Sequence, residues 1–370
     1  MATPPRTRSR AATEVAQEPP KFDADPAYKP RLHRGLKKLV RPLLREVERA
    51  VDQVEEPLGR VEVALAHLAL GDTPEGQSPA SHLAPGVPRI RPVLVLLASR
   101  AAGSDDAVVT EAVFSAELLE QALRVHDAAL GKQDGRRRRI ARRLLGGAAH
   151  WLGGHNLTLR ALEVARAAPS PELLGEALDT VREISEGHAL AVSLRDRDAS
   201  EDDWREYAES HNGAVFSFCT RAGGRLARAP RPVLSALGRY GRSMGVAWHA
   251  VEDQWIMSLP ADEFLRVLAR RLATGRPVLP LIVALERDPA LDQLLDRVLA
   301  CGVTADAETL RQAIIATGGE LIARRMLVES SFAARRALRA LEPSEHRDTL
   351  DRLAASIATP SGSLPGDSLK

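Results

Sequence analysis

A run of four arginines, Arg136 to Arg139, follows an apolar stripe that ends near His126 and Asp127. Between Leu118 and Ala129, apolar residues recur at spacings of three and four, and this spacing predicts one buried face of a helix. Guanidinium groups bind phosphate oxygens well because two N–H groups can donate in parallel. The junction therefore predicts a phosphate site, whose chemistry depends on how many carboxylates nearby can hold a metal ion.

Three other segments contain charged residues next to apolar helical patterns. The segment GVPRIRP (86–92) contains Arg89 and Arg91, and GRPVLP (275–280) contains Arg276. The stretch RYGRSMGVAWHAVEDQWIM (239–257) contains the adjacent carboxylates Glu252 and Asp253 near its end. Each segment adjoins an apolar helical pattern, so we expect helix ends and helix faces to position these charges.

The order of these segments resembles the trans-isoprenyl diphosphate synthases, also called the polyprenyl synthetase family, over roughly residues 60 to 350. The resemblance implies an all-α fold, a single large helical bundle of the isoprenoid (terpenoid) synthase type around a central cavity. In that family, two aspartate-rich segments on facing helices hold Mg²⁺ on an allylic diphosphate, and isopentenyl diphosphate then attacks the resulting carbocation.

The resemblance also assigns roles residue by residue. Substrate binding falls to five arginines: Arg89, Arg91, Arg136, Arg137 and Arg276. Catalysis falls to Asp127 and Asp253, and metal binding to Asp127, Glu252 and Asp253. Mg²⁺ is the implied cofactor and a prenyl diphosphate the implied ligand.

The chain departs from the family's motifs where the metal ligands stand. The family's first motif has three aspartates in five residues, whereas this chain reads DAALG from Asp127; in the second motif, His249 and Ile256 replace a glutamine and an aspartate. A cluster of three Mg²⁺ ions needs about five carboxylates besides phosphate oxygens. Each lost ligand or stabilising group typically lowers the rate about 10²-fold or more, so the sequence predicts impaired chain elongation.

Four histidines accompany these changes: His126, His155, His188 and His249. The patterns place them on different helices, and no HxxxH spacing joins any two. A substitute zinc site is therefore a minor hypothesis, and we expect single neutral histidines held by hydrogen bonds.

Helical patterns run along most of the chain and supply the scaffold. A two-helix pattern over 36–70 and a loop over 71–92 come first, and an apolar helix, VLVLLASRAA, opens at Arg91-Pro92. The predicted helices that follow span about 107–130, 137–167, 171–195, 201–222, 230–257, 261–273, 277–286, 290–301, 306–318 and 319–341. Strand patterns are nearly lacking, and the sequence shows no convincing fixed-period repeat. We expect a helical domain over 31–358, between a basic, proline-rich disordered tail (1–30) and a flexible C-terminal tail (359–370).

Composition limits the function classes. The 51 basic and 49 acidic residues leave a net charge of +2, which argues against a protein that coats nucleic acid. Two cysteines cannot form a disulfide framework, and the sequence has neither a secretory leader nor an apolar run long enough to span a membrane. These features predict a cytoplasmic protein.

Three functions remain open. The first is a catalytically impaired family member that retains a prenyl diphosphate or acts as a regulatory subunit, either as a homodimer or as a heterodimer with an active homologue. The second is an active prenyltransferase, or a class I terpene-synthase-like enzyme, with a reduced metal site. The third is a helical scaffold or cargo protein that its N-terminal tail tethers to a partner or an anionic surface.

Overall fold

The computed structural model describes residues 38–53, 90–104, 109–130, 139–194, 199–301 and 304–359, and all regular elements within these ranges are helices. They are α1 (Arg41–Gln53), α2 (Ile90–Ala101), α3 (Thr110–Leu130), α4 (Arg139–Ala167), α5 (Glu172–Ser193), α6 (Glu201–Ala208), α7 (Ala214–Leu226), α8 (Arg231–Met257), α9 (Ala261–Ala273), α10 (Leu279–Arg287), α11 (Leu291–Cys301), α12 (Thr304–Ala316), α13 (Gly319–Ala337) and α14 (Glu345–Ile357). A π-helical turn (Glu209–Gly213) joins α6 to α7, and a short 3₁₀ turn (Leu338–Ala340) follows α13.

Local sequence explains where several helices begin. Ser200 caps α6 by accepting a hydrogen bond from the Asp203 backbone N–H, while the Asp203 carboxylate accepts one from the Ser200 backbone in return. Ser344 caps α14 in a similar way through the Arg347 N–H. Proline lies in the first turn of both α8 and α10, where its missing N–H costs nothing.

Helix α8 is the centre of the bundle and packs closely against α13 and α7. Two of its glycines permit this approach. A Cβ on Gly241 would lie 2.4 Å from the Phe216 carbonyl oxygen, and one on Gly245 would lie 2.4 Å from that of Asn212. The same helix therefore runs directly against the π-helical turn.

Buried apolar residues form a main core and a second core. The main core involves α1 to α8, α10, α13 and α14. The second core lies between the end of α8 and helices α9 to α12, with Phe264, Leu295 and Leu310 among its fully buried residues. Residues of α8 take part in both cores, which places the Glu252–Asp253 pair where the two meet.

The predicted all-α class is confirmed, and the predicted helices from α2 to α13 agree with the structure to within a few residues at most ends. The sequence pattern missed α14, and it gave α6 and α7 as one uninterrupted helix. The second half of the 36–70 pattern lies outside the described residues, as do the predicted tail 1–30 and all of the C-terminal tail except Thr359. None of the helices described is long and apolar enough to cross a membrane.

Candidate active site

Asp127, near the end of α3, is a buried carboxylate surrounded by basic groups. His211 Nε2 lies 3.0 Å from its Oδ2 atom, and His188 Nε2 lies 3.4 Å from Oδ1. The Arg276 guanidinium also forms an ion pair with Oδ2. Helix α5, the π-helical turn and the loop before α10 therefore meet at one carboxylate, which joins distant parts of the chain.

The π-helical turn positions two of the side chains at the site. A π turn inserts one extra residue into a helix and so changes the direction of the side chains around it. Here His211 reaches Asp127, and Asn212 Nδ2 lies 3.1 Å from His249 Nδ1 on α8. Because the Asn212 amide can only donate there, His249 Nδ1 accepts and its proton lies on Nε2. That Nε2 atom is buried and has no hydrogen-bond partner among the described residues.

Five imidazoles form a continuous row through this region, which we call the histidine row. Its members, in spatial order, are His155, His126, His188, His211 and His249. Neighbouring ring centroids lie 5.2, 5.7, 6.3 and 6.0 Å apart. The row leads from an exposed histidine on α4 to a fully buried one on α8.

Burial controls the charge of the row. It lowers the pKa of His126, His188 and His211 to about 4, and neighbouring histidines lower those of His126 and His188 further. Burial also holds the pKa of His249 well below its usual range. These four imidazoles are therefore neutral at pH 7, and neutral imidazole is the form that can bind a metal ion.

Asp253 is fully buried on α8 and accepts two hydrogen bonds at the same oxygen. Trp204 Nε1 donates to Oδ2 at 2.8 Å, and the Leu279 backbone N–H at the start of α10 donates at 2.9 Å. Its Oδ1 atom has no hydrogen-bond partner in the described part of the chain. Burial raises the pKa of this carboxyl to about 7, against the opposing effects of Arg271 and the two hydrogen bonds.

The adjacent Glu252 points elsewhere and is about a quarter exposed. Its Oε2 accepts a hydrogen bond from Arg271 at 3.1 Å, and its Oε1 accepts one from Trp248 at 3.2 Å. His249 Nδ1 lies 3.9 Å from Oε2. Glu252 thus reaches the end of the histidine row, and through that row it connects to Asp127.

Arg91 occupies a separate buried ion-pair network. Its Nε and NH2 groups donate to the two carboxylate oxygens of Glu117 at 2.9 and 3.0 Å, and NH1 lies 3.6 Å from Glu120. Although burial alone would lower the pKa of Arg91, the two glutamates raise it above its usual value. The guanidinium fork that the sequence assigns to a diphosphate is here paired with protein carboxylates.

The structure brings Asp127, Arg276 and His188 together, and the row links them to Glu252 and His249. Arg89, Arg136 and Arg137 lie outside the described residues, so their predicted roles stay predictions. Sequence reasoning did not single out His211, Glu117 or Arg271. A buried charge opposite Arg91 was foreseeable from the apolar surroundings of Arg91, but nothing in the sequence indicated which acid supplies it.

Comparison with known proteins identifies the family. A family model described as "Polyprenyl synthetase" matches residues 74–316. The chain belongs to the polyprenyl synthetase family. Geranylgeranyl diphosphate synthase of Methanosarcina mazei is 28% identical over 251 residues, which cover 65% of this chain and 78% of that protein. Octaprenyl diphosphate synthase of Escherichia coli is 27% identical and covers 73% of this chain and 84% of that protein.

Solved structures confirm the fold of this polyprenyl synthetase family member. A polyprenyl synthase from Caulobacter crescentus, complexed with calcium and isoprenyl diphosphate, superposes with a TM-score of 0.70 at 22% identity, covering 85% of this chain and 98% of the other. A polyprenyl synthase from Roseobacter denitrificans gives the same score at 19% identity. The bundle is therefore the all-α fold of these synthases.

The carboxylates, as they are arranged here, do not fit a magnesium cluster. Mg²⁺ requires near-octahedral oxygen coordination. Each of the three carboxylates that the resemblance assigns to metal is held by protein donors: Asp127 Oδ2 by Arg276 and His211, Glu252 by Arg271 and Trp248, and Asp253 Oδ2 by Trp204 and the Leu279 backbone. Among the described residues, only Oδ1 of Asp127 and Oδ1 of Asp253 are left without a hydrogen-bond partner in this set. A different donor set does come together, because atoms of Asp127, His188 and His211 lie within 4.8 Å of one another.

Proposed function

We propose that this member of the polyprenyl synthetase family binds a prenyl diphosphate and is impaired in standard chain elongation, so that it acts as a prenyl-diphosphate-binding or regulatory subunit. One observation carries the proposal. All three carboxylates that remain from the aspartate-rich motifs are engaged by protein cations or hydrogen-bond donors. In an elongating enzyme of this type, those groups would have to be free for metal.

The energetics support impairment. Binding an ion through Oδ2 of Asp127 means separating that oxygen from the Arg276 guanidinium, which is 17% exposed. Breaking a fully buried ion pair typically costs about 3–5 kcal/mol, and the exposure of Arg276 lowers this cost. An ion that takes Oδ2 of Asp253 leaves the Trp204 N–H without its acceptor, at a cost of about 1–3 kcal/mol, whereas Oδ1 has no hydrogen-bond partner among the described residues. Glu252, which is about a quarter exposed, is the most accessible of the three carboxylates and is the one through which Mg²⁺ would bind weakly.

Arg276 is the described residue best placed to bind diphosphate. Its side chain is 17% exposed and pairs with the Asp127 carboxylate, and a diphosphate can compete with that carboxylate for the guanidinium. Arg271 lies beside Glu252 on the adjoining helix α9 and adds a second cation. Because these two arginines can neutralise part of the charge of the diphosphate, binding of the diphosphate needs fewer metal ions than its ionisation does.

The test separates binding from turnover. The full-length chain is incubated with isopentenyl diphosphate, Mg²⁺ and dimethylallyl, geranyl, farnesyl or geranylgeranyl diphosphate. We expect product formation about 10²-fold or more below that of an active relative measured in parallel. Clear turnover that Asp253→Asn abolishes contradicts the proposal of impairment.

Binding is measured by titrating the same protein with geranyl diphosphate in a calorimeter. We expect Arg276→Gln to weaken binding at least tenfold. Arg335→Gln is the matched control, since Arg335 forms a half-exposed pair with Asp351 on α14. Equal binding by both variants would remove Arg276 from the site, and the lack of binding by the wild-type chain would overturn the proposal as a whole.

An active synthase is the second candidate function, and the names of the relatives favour it, since the matched proteins are named as synthases. Under this alternative, Asp127, Glu252 and Asp253 serve a reduced metal site in a prenyltransferase or a terpene-synthase-like ionisation. The turnover assay above decides between the two.

Pairing with a second chain is part of the first proposal. Leu152 and Leu159 on α4, together with Leu178 on α5, are exposed leucines, and such apolar surface is typical of subunit contacts. A homodimer, or a heterodimer with an active homologue, would cover them. Light scattering should show a mass above that of the monomer, and Leu152→Glu combined with Leu159→Glu should reduce it to the monomer value.

A further inference from the structure

Two histidines and one aspartate converge at the centre of the histidine row. His188 comes from α5, His211 from the π-helical turn and Asp127 from α3, and all three side chains are buried. Each imidazole presents its Nε2 atom to a different oxygen of the same carboxylate. The ligand atoms lie within 4.8 Å of one another, so small side-chain movements bring them to one ion.

Unpaired buried atoms at this point indicate that the cluster is incomplete. His188 Nε2 and Asp127 Oδ1 face each other at 3.4 Å, yet neither has a hydrogen-bond partner among the described residues. A buried polar atom without a partner is destabilising, and two of them lie side by side in this described part of the chain. Coordination by one ion would satisfy both.

We propose that Asp127, His188 and His211 form a binding site for one first-row transition metal ion, such as Zn²⁺. The proposal goes beyond the proposed function, because binding of the ion requires neither a prenyl diphosphate nor turnover. Two imidazoles and one carboxylate form the protein side of many zinc and iron sites, which keep further coordination positions open.

The donor set selects the metal. Imidazole suits Zn²⁺, Fe²⁺, Co²⁺ and Ni²⁺, whereas Mg²⁺ prefers oxygen ligands at near-ideal octahedral geometry. The site therefore discriminates against the ion that the family's aspartate-rich motifs hold.

Arg276 is a built-in competitor at this site. Its guanidinium pairs with Oδ2 of Asp127, the oxygen that also faces His211. A metal ion that binds there must share Asp127 with Arg276 or displace it. Removal of the guanidinium should therefore tighten metal binding, which is the opposite of the effect expected from removal of a ligand.

The experiment uses the full-length protein, treated with a chelator and dialysed, and titrates it with Zn²⁺ in a calorimeter at pH 7. We expect one ion per chain, and His188→Ala should weaken its affinity by about 100-fold or more, since even the loss of an outer partner of a ligand typically costs 10- to 100-fold. His155→Ala is the matched control, because His155 belongs to the same row but not to the cluster. We expect no change for His155→Ala and tighter binding for Arg276→Gln.

A second measurement follows Co²⁺ by visible absorption in the wild-type chain, which makes the test independent of how well a variant folds. Bands of a nitrogen-ligated ion should appear at one equivalent and persist in millimolar Mg²⁺. Binding that His188→Ala and His211→Ala leave intact, in variants with native circular dichroism, would overturn the proposal. Displacement of Co²⁺ by Mg²⁺, or the lack of any stoichiometric binding, would overturn it as well.

Discussion

Asp253 is a buried carboxyl whose protonation should affect the stability of the whole fold. Burial raises its pKa to about 7, while an unfolded aspartate has a pKa of 3.8. Because the folded-state pKa is the higher one, the contribution to stability is complete below about pH 4 and is lost as the pH rises to about 7. One pKa unit corresponds to about 1.4 kcal/mol.

Asp253→Asn should remove this pH dependence because asparagine does not titrate. Its side-chain oxygen can still accept the hydrogen bonds from Trp204 and Leu279, so the local structure is kept. We expect the wild type to lose a few kcal/mol of unfolding free energy relative to the variant between pH 4 and pH 7, and the difference to stay constant above pH 7. Urea unfolding of both proteins at several pH values, with chelator present, measures it. A difference independent of pH would show that Asp253 is ionised throughout.

The Arg91–Glu117 pair provides a second prediction for a single residue. Glu117→Gln leaves the Arg91 guanidinium buried with only the longer contact to Glu120, so we expect a loss of about 3 kcal/mol in unfolding free energy. Asp351→Asn breaks the half-exposed pair with Arg335 and should cost about 1 kcal/mol or less. Chemical unfolding compares the two variants, and equal losses would mean that Glu117 does not neutralise Arg91.

Pairs of this kind mark the limit of sequence reasoning about single residues. The chain itself indicates that Asp127 and Arg276 belong to a site, because the surrounding motifs resemble those of the family. It does not indicate that they bind each other, since 149 positions separate them and either charge can bind a ligand instead. Tertiary packing decides that question.

At the scale of helices, the close crossing of α8 over the π-helical turn depends on glycine. A Cβ at Gly245 would lie 2.4 Å from the Asn212 carbonyl oxygen and 2.6 Å from the Gly213 Cα. Gly245→Ala must therefore push the turn away from α8, and overpacking of this kind typically costs about 1–3 kcal/mol. Thermal unfolding should show a lower midpoint.

Gly175→Ala is the matched control for this prediction. Gly175 lies exposed on α5, and a Cβ there meets nothing within 4 Å. Alanine favours a helix over glycine by about 0.5–1 kcal/mol, so this variant should unfold at a slightly higher temperature than the wild type. If both variants raise the midpoint, the turn yields easily and glycine at Gly245 is not required by packing.

The helices themselves could be predicted from the sequence because apolar residues recur at helical spacing along the chain. The π-helical turn could not, since one inserted residue shifts the pattern by less than the width of an apolar stripe. Helix α14 was overlooked although Ser344, Leu350 and Leu353 give it a cap and an apolar face.

For the whole molecule, the sequence predicts one helical domain, and the structure shows how two apolar cores are connected within it. Two cores share α8, and the candidate site lies along that helix, where buried polar groups come together from helices of both cores. Composition and resemblance predict the bundle, but not the histidine row. The row depends on four helices and a turn that meet only after folding.

The N-terminal tail permits a prediction about the entire chain. Residues 1–30 are predicted from composition to be disordered and lie outside the described residues, whereas Val40, Leu43 and Val47 are buried where α1 packs against α14 and α2. Deletion of residues 1–30 should therefore leave the thermal midpoint unchanged to within about 1 °C. Deletion of residues 1–53 should lower it strongly, because each buried leucine or valine typically contributes about 1.5–3 kcal/mol.

Calorimetry of the two truncated chains gives the midpoints, and a pull-down from cell extract tests whether the tail tethers the protein. If the tail is a tether, the 1–30 deletion loses its partner or its location in the cell while its unfolding stays the same. A large drop in the midpoint after the shorter deletion would instead place the tail within the fold, because only buried residues can contribute that much stability. Unchanged location and unchanged unfolding together would leave the bundle, and not its tail, as the functional part of the chain.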